Sequence, residues 1–242
     1  MKTSCGRGAI ACFAIVWAIG WGLSEAAENH FASADPAINP FDGESMRGWT
    51  TATGLPIESG WDAADGVIHM KPGLPRPGNI FTTYEYGDFL LSFEWKIAPG
   101  GNSGIKYRVR SYGSKTLGCE YQIYDDVGAK RPPKPKNSAG ALYDLYEPNG
   151  AKVLKPVGEY NTAKIVVRGN VIEHWLNGHR IVSATIGDAE WQRRIAESKF
   201  SDVENFAMNP RGKIMLTDHG SEVWLRNFKF EPADTTKVSA AR

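Results

Sequence analysis

Cysteine is scarce in this chain: three among 242 residues, with Cys5 and Cys12 inside the first 26. Beyond that point only Cys119 remains, and a single thiol cannot pair within its own chain, so a disulfide framework is excluded as the source of stability. An excess of one charge sign is also missing. The 28 Lys+Arg stand against 27 Asp+Glu, a formal charge of +1, and no block of like charge occurs. That removes the electrostatic footprint of a nucleic-acid binder. After residue 26 no apolar run approaches the roughly 20 residues that cross a bilayer. Motifs of high specificity are absent too: there is no His-Glu-x-x-His, no Gly-x-Ser-x-Gly, no paired Cys-x-x-Cys and no phosphate-cradling glycine loop. Aromatic residues are plentiful, with 8 Trp, 9 Tyr and 10 Phe. Such buriable area excludes a solvated, disordered chain and supports one sizeable core.

Residues 1–26 read as a secretory signal. Lys2 and Arg7 form a positive start, 8–23 is apolar and uncharged, and Ser24-Glu25-Ala26 gives a small-x-small cleavage site. Sixteen residues broken by Gly20 and Gly22 are too few for a span. Cleavage near Ala26 leaves 26 charges of each sign in an exported, secreted or periplasmic protein with no membrane span of its own. Residues 27–38 then serve as a linker, 39–232 as one domain and 233–242 as a flexible tail.

Between 39 and 232 short apolar-polar alternations are separated by Gly, Pro, Asn and Asp clusters, the pattern of a sandwich or barrel. In 89–97, Phe89, Leu91, Phe93, Trp95 and Ile97 point one way, and Ser92, Glu94 and Lys96 the other. Runs 105–110 and 119–124 repeat the alternation, which predicts three strands sharing one polar face. Later strands are predicted at 163–168, 171–176, 180–184, 213–218 and 222–230, with tight turns at Gly169-Asn170 and Asn177-Gly178. One short helix is predicted at 189–198, with Asp188 as N-cap and Trp191 and Ile195 one turn apart. The proline-rich 131–136 reads as an exposed loop.

The shared face would carry Glu94, Lys96, Lys106, Arg108, Glu120 and Gln122, flanked by Asn102-Ser103-Gly104 and Asp125-Asp126. A solvated sheet surface is the commoner explanation of such a face. Gly100-Gly101-Asn102-Ser103-Gly104 reads as a hairpin-like connection whose small residues allow a close approach. Asp218-His219 sets a carboxylate beside an imidazole whose ordinary pKa of about 6.5 suits proton transfer. His174 lies among apolar strand residues and reads as a satisfied, buried imidazole.

The ordered set of motifs carries a resemblance. It runs through Phe41-Asp42-Gly43, Gly48-Trp49, Trp61, Asp65-Gly66, Gly87-Asp88-Phe89 and Phe93-Glu94-Trp95. It continues through Asn102-Ser103-Gly104-Ile105, Arg108, Gly118-Cys119-Glu120-Tyr121-Gln122-Ile123, Gly140-Ala141-Leu142-Tyr143, Lys155-Pro156-x-Gly158-Glu159-Tyr160-Asn161, His174-Trp175-Leu176-Asn177-Gly178, Asp218-His219-Gly220 and Arg226-Asn227. The chain resembles the 3-keto-disaccharide hydrolase domain family of the concanavalin A-like lectin and glucanase superfamily. Tyr160 and Thr217 stand where members often carry Trp and Gln. The resemblance implies an all-β fold, a two-sheet concanavalin A-like jelly-roll sandwich with one short helix. It also implies a glycoside substrate whose C3 hydroxyl has been oxidised to a ketone.

A C3 ketone acidifies the C2 proton, so the glycosidic bond can break by C1-C2 elimination followed by hydration. The pair of carboxylates used by ordinary glycosidases is then not compulsory. On this reading Glu120 and His219 share the base and acid roles, and Arg108 stabilises the enolate. Glu94, Lys106, Asn102, Gln122 and Asp218 hold the substrate. No cofactor is required; Asp125, Asp126, Asp218 and His219 offer donors that suit calcium, without a spacing that commits a site. A sugar C3 oxidoreductase would be the functional partner. The competing reading is a non-catalytic carbohydrate-binding module, since the fold serves both. An ordinary glycosidase ranks lower because Glu120-x-Gln122-x-Tyr124 lacks the Glu-x-Asp-x-Glu strand of related glucanases.

Overall fold

The structure, a computed structural model, describes Met1 and residues 39–73, 75–232 and 239–240. The segments read as signal and linker, and most of the tail, therefore lie outside the described residues. The core is built from side chains that alternate along short strands. In β5 (Phe89–Ile97) the five predicted inward residues are all buried, and the residues between them are only partly covered. Each such side chain contributes about 1.5–3 kcal/mol by leaving water. Facing them across the interior are Ile105 and Tyr107 of β6 (Asn102–Tyr112) and Cys119, Tyr121 and Ile123 of β7 (Lys115–Tyr124). Phe93 meets Tyr121 edge-on at 5.6 Å, and Phe89 meets Tyr107 at 5.9 Å.

These strands belong to two antiparallel sheets. One has the order β1-β4-β11-β6-β7, with β1 (Trp49–Thr50), β4 (Ile80–Tyr86) and β11 (Gly212–Leu216), and β13 (Ser239–Ala240) paired to β4. The other has the order β10-β9-β8-β5-β12-β3-β2. It contains β2 (Trp61–Ala64), β3 (Val67–Met70), β8 (Asn161–Arg168), β9 (Val171–Leu176), β10 (His179–Thr185) and β12 (Val223–Pro232). This is the two-sheet sandwich predicted.

The local signals explain most of it. Asn177 and Gly178 both have positive φ, 46° and 85°, as a type I′ turn between β9 and β10 demands. Helix α1 (Ala189–Ala196) starts where Asp188 accepts the Trp191 N–H at 2.7 Å, and Trp191 is its buried anchor. Within 131–136 the prolines end in a 3₁₀ turn (Pro135–Asn137). Among the described residues no helix is long and apolar enough to cross a membrane.

Two expectations fail. The chain between β5 and β6 is not a hairpin: β5 and β6 lie in different sheets, so 98–101 crosses from one layer to the other. Alternation identifies a wet face and a dry face, but not which sheet a strand joins. The polar residues of β5 consequently share no face with those of β6 and β7. They line the outer surface of the opposite sheet.

Candidate functional site

On the outward face of the sheet that holds β6 and β7, these strands pair Lys106 with Glu120, Gly104 with Gln122 and Asn102 with Tyr124. The edge of β7 is covered by the segment 140–143. The Gln122 N–H donates to the Ala141 carbonyl at 3.2 Å and the Tyr143 N–H to the Glu120 carbonyl at 3.0 Å. Glu120 thus lies between a neighbouring strand and a covering segment, with its side chain 6% exposed. Gly104 makes room for it. A Cβ there would stand 2.5 Å from Glu120 Oε1.

The Glu120 carboxylate is poorly satisfied. Lys106 Nζ approaches Oε2 at 3.7 Å, beyond ordinary hydrogen-bond length, and Oε1 is buried with no partner. Burial pushes this carboxyl above its ordinary range, against the pull of the Lys106 and Lys199 ammonium groups. Lys199 follows α1 and is delivered by its backbone, whose N–H donates to Asp144 Oδ2 at 2.7 Å. Its ammonium lies over the Tyr143 ring at 4.1 Å. Lys136 of the proline-rich loop supports that corner by reaching Asp144 at 3.0 Å and the Glu197 carbonyl at 3.1 Å.

His219 stands just past the end of β11, after Thr217, whose N–H donates to the Gly104 carbonyl at 3.0 Å. It keeps an exposed edge. Desolvation of the imidazole, reinforced by the cations of Lys106 and Arg76, pushes it below its ordinary value; Asp218 pulls the other way. Asp218 itself is turned to the 76–79 loop. It pairs with Arg76 at 3.1 Å and accepts the N–H groups of Gly78 at 2.9 Å and Gly220 at 2.6 Å, which hold its carboxyl low. These contacts fix the turn beside His219.

Glu120, His219, Lys106, Gln122 and Asn102 therefore come together, the last two joined by Gln122 Nε2 donating to Asn102 Oδ1 at 2.9 Å. Two predicted residues do not join them. Glu94, on the outer face of the opposite sheet, is bound to Arg226 at 2.9 Å. Arg108 is drawn inward by a bulge in β6 that shifts the register between Tyr107 and Arg110 and gives Arg108 a φ of 49°. It is 2% exposed and donates to the Gly169 carbonyl at 2.7 Å and to Asp88 at 3.2 Å. Val109 takes its place on the outward face, beside Phe81 and Met215. The bulge fits only because Gly118 opposes it; a Cβ there would stand 2.6 Å from the Tyr107 carbonyl oxygen.

Sequence reasoning missed Lys199, Tyr143 and Arg76. Each lies in a segment without periodicity, and only the tertiary fold brings it to Glu120 or His219. The carboxylates considered for calcium spend their oxygens on N–H donors. Asp125 accepts from Gly100, Val127 and Gly128, and Asp126 accepts from Ala139 and Lys152.

Comparison with known proteins matches this architecture. A family model described as the 3-keto-alpha-glucoside-1,2-lyase-like domain covers residues 36–231. A protein of Bacteroides thetaiotaomicron named 3-keto-disaccharide hydrolase is 29% identical over 232 residues, spanning 83% of this chain and 80% of its own. The crystal structure of a candidate glycosyl hydrolase from Parabacteroides distasonis is 30% identical, covers 81% of this chain and 93% of that one, and superposes with a TM-score of 0.72. A second from the same organism is 25% identical, covers 78% and 95%, and gives 0.59.

Proposed function

This chain belongs to the 3-keto-α-glucoside-1,2-lyase-like domain family, and on that premise we propose that it cleaves 3-keto-glycosides by eliminating the C1 substituent. The relative named 3-keto-disaccharide hydrolase supports the substrate class. The observation that carries the mechanism is the pair Glu120 and His219, whose surroundings push the two groups in opposite directions. A raised carboxyl keeps its proton longer, and a lowered imidazole stays neutral to lower pH.

His219 is then the base. Its neutral ring takes the C2 proton, and the C–H electrons pass into an enolate over C2, C3 and the ketone oxygen. Lys106, freed of its partner when Glu120 is protonated, faces that negative charge in the role first given to Arg108. As the ketone re-forms, C1=C2 closes, the C1–O bond breaks and the leaving oxygen takes the Glu120 proton. The product is an enone, and water added at C1 completes hydrolysis. Asn102 and Gln122 supply hydrogen bonds to sugar hydroxyls. The ketone itself must come from a sugar oxidoreductase, and the leader at residues 1–26 would place the reaction outside the cytoplasm.

The test sets a methyl glucoside beside its 3-keto derivative and follows methanol release and enone absorbance. Release from the keto sugar alone supports the proposal. Sugar binding without release from either would make the protein a carbohydrate-binding module.

A further inference from the structure

The candidate site gathers more positive charge than the elimination uses. Lys106, Lys199 and Arg76 act on Glu120 or His219, and Lys136 stands behind them at Asp144. Two of these cations are answered: Arg76 pairs with Asp218 at 3.1 Å and Lys136 with Asp144 at 3.0 Å. The neighbouring Glu197 is held by Arg193 at 2.9 Å. Lys106 has only Glu120, at 3.7 Å, and loses that partner whenever Glu120 is protonated. Lys199 forms no ion pair among the described residues. Its ammonium rests over the rings of Tyr143, at 4.1 Å, and Phe200, at 5.2 Å.

Lys199 is within reach of the reacting groups. The N–H of Tyr143, whose ring it covers, donates to the Glu120 carbonyl at 3.0 Å, and its charge acts on both Glu120 and His219. The residue is exposed, so its ammonium can meet a ligand without giving up a carboxylate of the protein. Elimination develops one negative charge, on the ketone oxygen, and Lys106 faces it. Lys199 is then a spare cation. One spare ammonium matches a single negative charge, which a carboxylate carries and a phosphate monoester exceeds. The rim has the same sign. Residues 127–143 contain no carboxylate, and Lys130, Arg131 and Lys134 of the proline-rich loop are exposed and form no ion pair among the described residues, while Lys136 ties that loop to Asp144. A rim of this kind concentrates an anionic substrate at the site.

We propose that the glycoside cleaved here carries a carboxylate, on the reacting ring or on the leaving group, and that Lys199 receives it. The proposal rests on the elimination reading for its substrate, and its test separates the two. Binding to the full chain is measured by calorimetry with unoxidised ligands, in pairs of like shape that differ in charge. Methyl glucuronide against methyl glucuronamide probes the ring, and 4-carboxyphenyl against 4-carbamoylphenyl glucoside probes the leaving group. In one pair the acid should bind at least about tenfold tighter, the scale of one charge-assisted contact, and the pair that responds locates the charge. That advantage should shrink severalfold in Lys199→Met, which keeps an unbranched chain over Tyr143, and survive in Lys199→Arg. Equal binding within both pairs, no binding of any of the four, or an advantage untouched in folded Lys199→Met would overturn the assignment. Turnover of methyl 3-keto-glucoside, followed separately, reports on the elimination reading whatever the calorimetry shows.

Discussion

Lys106 and Glu120 face each other across the β6–β7 ladder with Nζ 3.7 Å from Oε2, while Oε1 of the same carboxylate is buried and unpartnered. A pair of this kind gains little from its own attraction and leaves the cost of burial largely uncompensated. The unmet oxygen points to a role with substrate. Glu120→Gln removes the titrating proton but keeps the shape, so turnover should fall by about 10²–10⁴. The melting temperature should hold or rise. A large loss of melting temperature with specific activity intact would assign Glu120 to structure instead.

The acid-base split predicts the pH profile. His219 must be neutral, so activity should fall on acidification through a pKa below 6.5; Glu120 must be protonated, so activity should fall on alkalinisation through a pKa above 4.5. The outcome is a bell. In His219→Ala the acid limb should disappear along with most of the rate. An acid limb unchanged in that variant would move the base elsewhere.

Arg108 was the sequence's candidate for enolate stabilisation, and the fold gives it to the interior. Arg108→Met should lower stability by about 1–3 kcal/mol, the scale of a lost charged hydrogen bond to the Gly169 carbonyl. The folded fraction should turn over normally. Denaturant melts read beside specific activity check both halves.

His174 offers a pH test of the fold. Fully buried, its Nδ1 meets the Gly140 carbonyl at 3.0 Å and its Nε2 the Tyr107 hydroxyl at 2.9 Å, and desolvation pushes it down to about 4. The unfolded chain, with an imidazole near 6.5, binds a proton first as pH falls. Stability present above pH 6.5 should therefore be lost progressively between 6.5 and 4, on the order of 3 kcal/mol in all. His174→Gln should flatten that slope in urea titrations, and an equal slope in the variant would contradict the account.

The alternation of β5, the Asn177-Gly178 turn and the Asp188 cap were legible because each is a local rule obeyed locally. So was the common polar face of Lys106 and Glu120, since 105–110 and 119–124 show the same alternation; their pairing in the ladder came only with the structure. Glu94 misled because period-2 patterning says nothing about which sheet a strand enters. Arg108 misled because a bulge reverses the faces after Tyr107, and its signal was Gly118 on the opposing strand, readable only once the register is known. Lys199 and Arg76 had no pattern at all. They reach the site through Asp144 and Asp218, contacts 55 and 142 residues apart in sequence.

The central claim is that the C2 proton is removed before the glycosidic bond breaks. Its most direct test is the rate on methyl 3-keto-glucoside carrying deuterium at C2, against the protonated compound. The account predicts a clear primary isotope effect, lost label at C2 in the product and no reaction with the unoxidised glucoside. Equal rates with deuterium retained at C2 would contradict it.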